Sequence, residues 1–157
     1  MKAIVIYDTQ FGNTEAIAKA VAGALGGEVK IQKVKEANPA DLSAFDLILV
    51  GSPTQGGRQT VSTKAFLDSI KDVELKGKSV VAFDTRLKTA IVKLFGYAAG
   101  RIAGALKDKG GNLILPEEPF YVKGAQPKLL DGELERAQAW GKRVMETYAN
   151  AGKLDRP

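Results

Sequence analysis

Thr9-Gln10-Phe11-Gly12-Asn13-Thr14 is the stretch of this chain richest in groups that can hold a ligand. Thr9 and Thr14 offer hydroxyl donors. Gly12 carries no Cβ, so backbone there can come close to a bound group. The stretch lies between an apolar strand at residues 2–7 and a helical pattern that begins near Asn13 or Thr14. A helix start presents unpaired N–H groups and a partial positive end. Together these features suit a phosphate and need no Lys or Arg. They also suit an ordinary turn and cap with no ligand, and the loop alone does not choose.

Other phosphate-binding spellings on such a strand–turn–helix unit fail. A Walker-type loop requires Gly-Lys-Ser/Thr, which is missing. A dinucleotide fingerprint requires Gly-x-Gly-x-x-Gly after the first strand, and residues 9–14 do not supply it. A receiver domain requires a phospho-accepting Asp at the end of the third strand, where this chain has Gly51-Ser52.

The elements that must position this loop alternate between strand and helix along the whole chain. Ile17, Val21 and Leu25 recur at i, i+4 and i+8 in a helix over 14–25 that Gly26-Gly27 ends. Residues 28–34 alternate through Val29, Ile31 and Val34 and read as an edge strand. Residues 39–45 hold a short helical turn. Residues 46–51 form a buried strand. Ser62 is positioned to cap a helix whose inward face is Phe66, Leu67 and Ile70. Residues 79–84 form the next buried strand.

After a long loop, a helix near 95–109 turns Ala98, Ile102, Ala105 and Leu106 inward and stops at Gly110-Gly111. Residues 113–115 and 120–122 read as one last strand, interrupted by Pro116-Glu117-Glu118-Pro119. A final helix runs over 131–150, with Asp131 as its cap and Glu133 and Glu135 favouring its N-terminal dipole. The chain therefore reads as one domain, 1–150, with a frayed tail at 151–157.

Near-continuous apolar strands separated by helices imply a parallel sheet covered on both faces. The expected fold is α/β: a three-layer, doubly wound, five-stranded parallel sheet of order 2-1-3-4-5. Ligands of such sheets sit beyond the carboxyl ends of the strands, where strand order reverses. That directs attention to loops 8–14, 52–61 and 84–94.

Composition narrows the chemistry. The 157 residues contain neither Cys nor His. Disulfides, thiol redox couples, Cys nucleophiles and Cys-ligated iron–sulfur clusters are excluded. So are His-based triads and zinc sites of the usual Cys/His kind. Redox chemistry in this chain would need an organic cofactor. The formal net charge is +5. The basic residues are scattered, and the densest group, Arg86, Lys88 and Lys93, has no interleaved aromatic platform, so no nucleic-acid groove is expected. No apolar run reaches the roughly 18 residues of a membrane span. The five-residue run after Lys2 meets Asp8 at once and reads as a strand, so the expected location is cytoplasmic.

Val5-Ile6-Tyr7-Asp8-Thr9-Gln10-Phe11-Gly12-Asn13-Thr14, followed by Ala18 and Val21, resembles the FMN-binding signature of flavodoxins. Gly51-Ser52-Pro53-Thr54-Gln55-Gly56-Gly57 resembles the family's second loop. Phe120-Tyr121-Val122, Gly124 and a helix bearing Trp140-Gly141 are compatible with its last third, so the resemblance covers about residues 2–148. It implies an FMN-binding electron carrier. Thr9, Gln10, Phe11, Gly12, Asn13 and Thr14 would hold the FMN phosphate. Pro53, Thr54, Gln55, Gly56 and Gly57 would line one side of the flavin ring. Asp84, Thr85 and Arg86 would meet its other side or its pyrimidine edge. A peptide flip at Gly56-Gly57 would cost little, because glycine tolerates positive φ.

Two departures from the family pattern stand out. Flavodoxins usually stack aromatic side chains on the flavin, but the second loop has none and the third has none before Phe95 and Tyr97. Leu87, Ile91 or Leu94 could cover the ring instead, while Phe95 and Tyr97 also suit core packing. Each lost stack is worth roughly 0.5–1.5 kcal/mol beyond burial. The second departure is charge. Electron-shuttle flavodoxins are acidic and this chain is basic, which implies a redox partner with an acidic docking face. Arg58, Arg86, Lys88 and Lys93 would favour an anionic reduced flavin. Two other functions fit the same residues: an NAD(P)H-dependent FMN or quinone reductase, with Arg58, Arg86 and Lys88 on nucleotide phosphates, and a module of this fold that has lost FMN.

Overall fold

The computed structural model describes residues 1–88 and 96–154. Strand β1 (Lys2–Tyr7) leads into helix α1 (Asn13–Leu25), then β2 (Glu28–Lys33). A 3-10 segment, Pro39–Ala44, precedes β3 (Leu47–Pro53), α2 (Val61–Ser69) and β4 (Ser79–Leu87). Helix α3 (Ala98–Asp108) is followed by β5 (Asn112–Leu113), β6 (Glu118–Lys123), β7 (Lys128–Leu129) and α4 (Glu133–Leu154). No helix of the described residues is long and apolar enough to cross a membrane.

The sheet order is β2-β1-β3-β4-β6-β7, with β5 also paired to β4. Both β5 and β6 run parallel to β4, β5 opposite Ser79 and Val80 and β6 opposite Phe83 to Leu87. They are the interrupted last strand, split by Pro116. The expected order 2-1-3-4-5 therefore holds. The purely parallel sheet does not: β7 adds a short antiparallel edge through Val122–Leu129 and Lys123–Lys128.

Strand alternation sorts the core into two layers. Val5, Leu49 and Phe83 face α1 and α4, while Ile6, Val50 and Ala82 face α2 and α3. All six are fully buried. Trp140, on α4, packs edge-on against Phe83 and Phe120 with centroids 6.0 Å from each. Gly51 is required under this cluster, since a Cβ there would lie 2.1 Å from the Phe83 ring.

Several boundaries differ from expectation, among them β4, which runs to Leu87, and α3, which starts at Ala98. Thr60, not Ser62, caps α2, its hydroxyl oxygen accepting the Thr63 amide at 3.2 Å. The α4 ladder opens at the Gly132 carbonyl, which accepts from Arg136, so Asp131 is not the cap. The helix also continues through Leu154, beyond the expected end at 150. Apolar periodicity locates a helix face but leaves its ends loose by a residue or two.

Candidate functional site

Strand order reverses between β1 and β3, because β2 lies on one side of β1 and every later strand on the other. Beyond the carboxyl ends of β1, β3 and β4 the following segments meet at one cleft. It is lined by Thr9, Gln10, Phe11, Asn13 and Thr14, by Pro53, Thr54 and Gln55, and by Thr85 and Arg86. Leu87, Val122 and Pro127 complete it. Of the residues expected at the site, Gly12, Gly56, Gly57 and Asp84 do not line the cleft.

The first loop is organised around Gly12, whose φ of 87° is left-handed and favours glycine. Its amide donates to Thr9 Oγ1 at 2.9 Å, and its carbonyl accepts the first helical bond, from Ala16. Among the described residues the amides of Asn13, Thr14 and Glu15 have no acceptor. The other helix starts beside the cleft are closed by side chains. Thr60 caps α2, and the α3 amides of Ala98 and Ala99 donate to Thr54 Oγ1 and Asp84 Oδ2. The start of α1 is thus left with open backbone donors, an arrangement that fits a phosphate.

Glu15 does not fill that position. It accepts from Tyr7 Oη at 3.0 Å and pairs with Lys19. Those two partners hold its carboxyl below the ordinary range, and burial together with Glu15 pushes the Tyr7 phenol up to about 12. The aromatic of the first-loop motif is therefore a core residue with its hydroxyl anchored on α1.

Three side-chain contacts tie the separate segments together. Thr14 Oγ1 and Thr85 Oγ1 lie 2.8 Å apart. Gln55 Nε2 donates to Gln10 Oε1 at 2.7 Å, joining the first and second loops. Asn13 Nδ2 donates to the Pro127 carbonyl at 2.8 Å, drawing the β6–β7 connection to the first loop. Asn13 thus faces another loop as well as the cleft.

Gln55-Gly56-Gly57-Arg58 is a two-residue turn closed by backbone bonds in both directions. Both glycines have positive φ, 56° and 79°, as a type I′ turn requires. Arg101 Nε holds the Gly57 carbonyl at 3.2 Å. The Gly56 carbonyl and Gly57 amide have no partner among the described residues, so the one free peptide unit of the turn lies between the two glycines.

At the end of β4 the three expected residues divide. Thr85 and Arg86 line the cleft, whereas Asp84 is fully buried and its carboxylate is engaged by Arg86, Thr54 and Ala99. Tyr97 is neither a free wall nor simple core, since the Arg86 guanidinium stacks on it at 3.5 Å from the ring centroid. Residues Thr89, Ile91, Lys93, Leu94 and Phe95 lie outside the described residues. Val122 and Pro127 were not anticipated. The rule that ligands gather at strand carboxyl ends, applied to the last strand as well, would have found them.

The family model described as Flavodoxin matches residues 5–140. A flavodoxin of Picosynechococcus sp. is 29% identical over 113 residues, which cover 70% of this chain and 66% of that protein. Flavodoxin 1 of Escherichia coli K12 is 24% identical over 164 aligned positions, covering 90% of this chain and 92% of that one. Among solved structures, an archaeal flavodoxin superposes with a TM-score of 0.79 at 24% identity, over 95% of this chain and 99% of its own.

Proposed function

Because the chain belongs to the flavodoxin family, whose members bind FMN and carry electrons, we propose that it holds the FMN phosphate on Thr9–Thr14 and the flavin between Pro53–Gln55 and Thr85–Leu87. In this reading it works in the cytoplasm and exchanges electrons with a partner whose docking face is acidic. The observation that carries the site is the open helix start at Gly12–Glu15, set in the same cleft as the second loop and the end of β4.

Bound FMN supplies reversible electron uptake that the side chains of this chain cannot. The residues supply its setting. The amides of Asn13, Thr14 and Glu15 and the Thr9 hydroxyl are donors for the phosphate. Pro53, Leu87 and Val122 exclude water from the ring. The Gly56–Gly57 peptide is unbonded next to the lining residue Gln55, and glycine tolerates both of its orientations. The cleft encloses about 150 Å³, less than the roughly 300 Å³ of an ordinary small-molecule pocket. Among the described residues the lining therefore encloses only part of a bound nucleotide.

The charge of the rim supports an acidic partner. Lys88, Lys123 and Lys128 directly follow the lining residues Leu87, Val122 and Pro127, and all three are exposed. Arg58 is exposed beside the Gly56-Gly57 turn. The reductase reading loses ground because Arg86, one of the cations it needs for nucleotide phosphates, is already committed to Asp84.

The deciding experiment is the visible spectrum of the purified protein with added FMN, followed by NADPH. A carrier takes up FMN and is not bleached by NADPH alone. Protein that takes up no FMN, or that turns over NADPH with a quinone, overturns the proposal.

A further inference from the structure

Asp84 has no contact with solvent, yet four donors converge on its carboxylate. Oδ1 accepts from Arg86 Nε at 2.8 Å and Oδ2 from Arg86 Nη2 at 2.7 Å. Oδ2 also accepts from the Ala99 amide at 2.9 Å and the Thr54 hydroxyl at 3.2 Å. A buried carboxylate is costly unless it is satisfied in this way. The donors come from three separate segments: the end of β4, the first turn of α3 and the segment after β3. Thr54 Oγ1 in turn accepts the Ala98 amide at 3.1 Å, so α3 starts against the second loop.

Arg86 is constrained from two directions. Its fork is bidentate on Asp84, and its face lies on the Tyr97 ring. Its side chain is only 10% exposed. A cation on a long side chain is usually hydrated and mobile. This one is fixed in the wall of the cleft, in a site that lacks aromatic residues in its second loop.

We infer that Asp84 is a positioning residue that holds Arg86 as a rigid cationic wall of the FMN cleft, and that Arg86 so held favours the fully reduced, anionic flavin. The inference rests on the cofactor reading above. Asp84 could affect the flavin in two ways, and they have opposite signs. Acting only as a negative charge, it would disfavour the anionic flavin, and its removal would favour it. Acting by holding Arg86, its removal would disfavour that form.

The test is FMN titration and spectroelectrochemistry on wild type, Arg86→Gln, Arg86→Lys and Asp84→Asn, with the melting temperature of each apoprotein as a check on folding. In Arg86→Gln, affinity for fully reduced FMN relative to the one-electron-reduced form should fall about tenfold, a drop of about 59 mV. Asp84→Asn should shift the same way. Arg86→Lys, which keeps the charge without the fork or the planar stack, should fall between wild type and Arg86→Gln. An Asp84→Asn shift in the opposite direction overturns the inference. If that variant does not fold, the Arg86 pair decides: an unshifted Arg86→Gln, or an Arg86→Lys equal to wild type, overturns it. A wild-type chain that takes up no FMN instead overturns the cofactor reading, and this inference with it.

Discussion

Thr14 Oγ1 and Thr85 Oγ1 are 2.8 Å apart and both side chains are buried, although 71 positions separate them in the chain. One stands in the first turn of α1, which follows β1, and the other near the end of β4, with β3 between β1 and β4. The pair therefore sets the distance between the first-loop end of the cleft and its β4 side. Changing either residue to Val leaves the other hydroxyl buried without its partner, at about 1–3 kcal/mol. The double variant should cost less than the sum of the singles in urea unfolding of the apoprotein. Thr14→Ala should also weaken FMN retention, and unchanged affinity would remove Thr14 from the phosphate site.

Riboflavin, which lacks the phosphate, should bind at least about tenfold more weakly than FMN, since the open donors of α1 would have no anion to meet. Fluorescence titration with both flavins measures the ratio. Equal affinities would mean that the first loop is a turn and cap only.

Gly51→Ala should destabilise the protein by about 1–3 kcal/mol, the usual cost of overpacking a filled core. The added methyl would enter the Phe83 ring, which Phe120 and Trp140 already brace. Gly51 also precedes Ser52 and Pro53 in β3, so FMN affinity should fall along with the urea midpoint. An unchanged midpoint would show that the aromatic cluster yields freely.

Glu133 gives a pH-dependent contribution of known sign. Burial pushes its carboxyl up, but the Arg136 guanidinium and the Tyr121 amide outweigh this and hold it below the ordinary range. A pKa lower in the folded than in the unfolded chain stabilises the fold above the unfolded value, roughly 4.3. That stability is lost as pH falls through the folded value. Glu133→Gln should therefore be less stable than wild type at neutral pH, with the gap closing in acid. Urea unfolding across this range measures it, and a gap independent of pH contradicts the assignment.

Charge at the cleft rim should govern electron exchange. Reaction of the reduced holoprotein with an anionic redox complex should slow as salt rises, and reaction with a cationic complex should quicken. Lys88→Glu combined with Lys123→Glu should weaken or reverse both trends in stopped-flow measurements. The opposite signs in the wild-type protein would point to a basic partner.

The sequence by itself determined the features that depend on local pattern. Apolar runs at residues 2–7, 46–51 and 79–84, with helical periodicity between them, dictate a covered parallel sheet. The Thr9–Thr14 spelling marks a helix start with room for an anion, because turn chemistry and helix dipoles act over a few residues. Tertiary structure decided what depends on distant partners. Asp84, Thr85 and Arg86 are consecutive, yet Asp84 is drawn inward by donors from Thr54, Arg86 and Ala99 while its two neighbours line the cleft. The antiparallel β7 strand and the approach of Pro127 to Asn13 likewise arise from contacts across the fold. The open amides at the start of α1 support the proposed phosphate loop. The β4 side of the cleft carries a guanidinium whose position is set by a buried carboxylate and a tyrosine eleven positions further on, a geometry that only packing specifies.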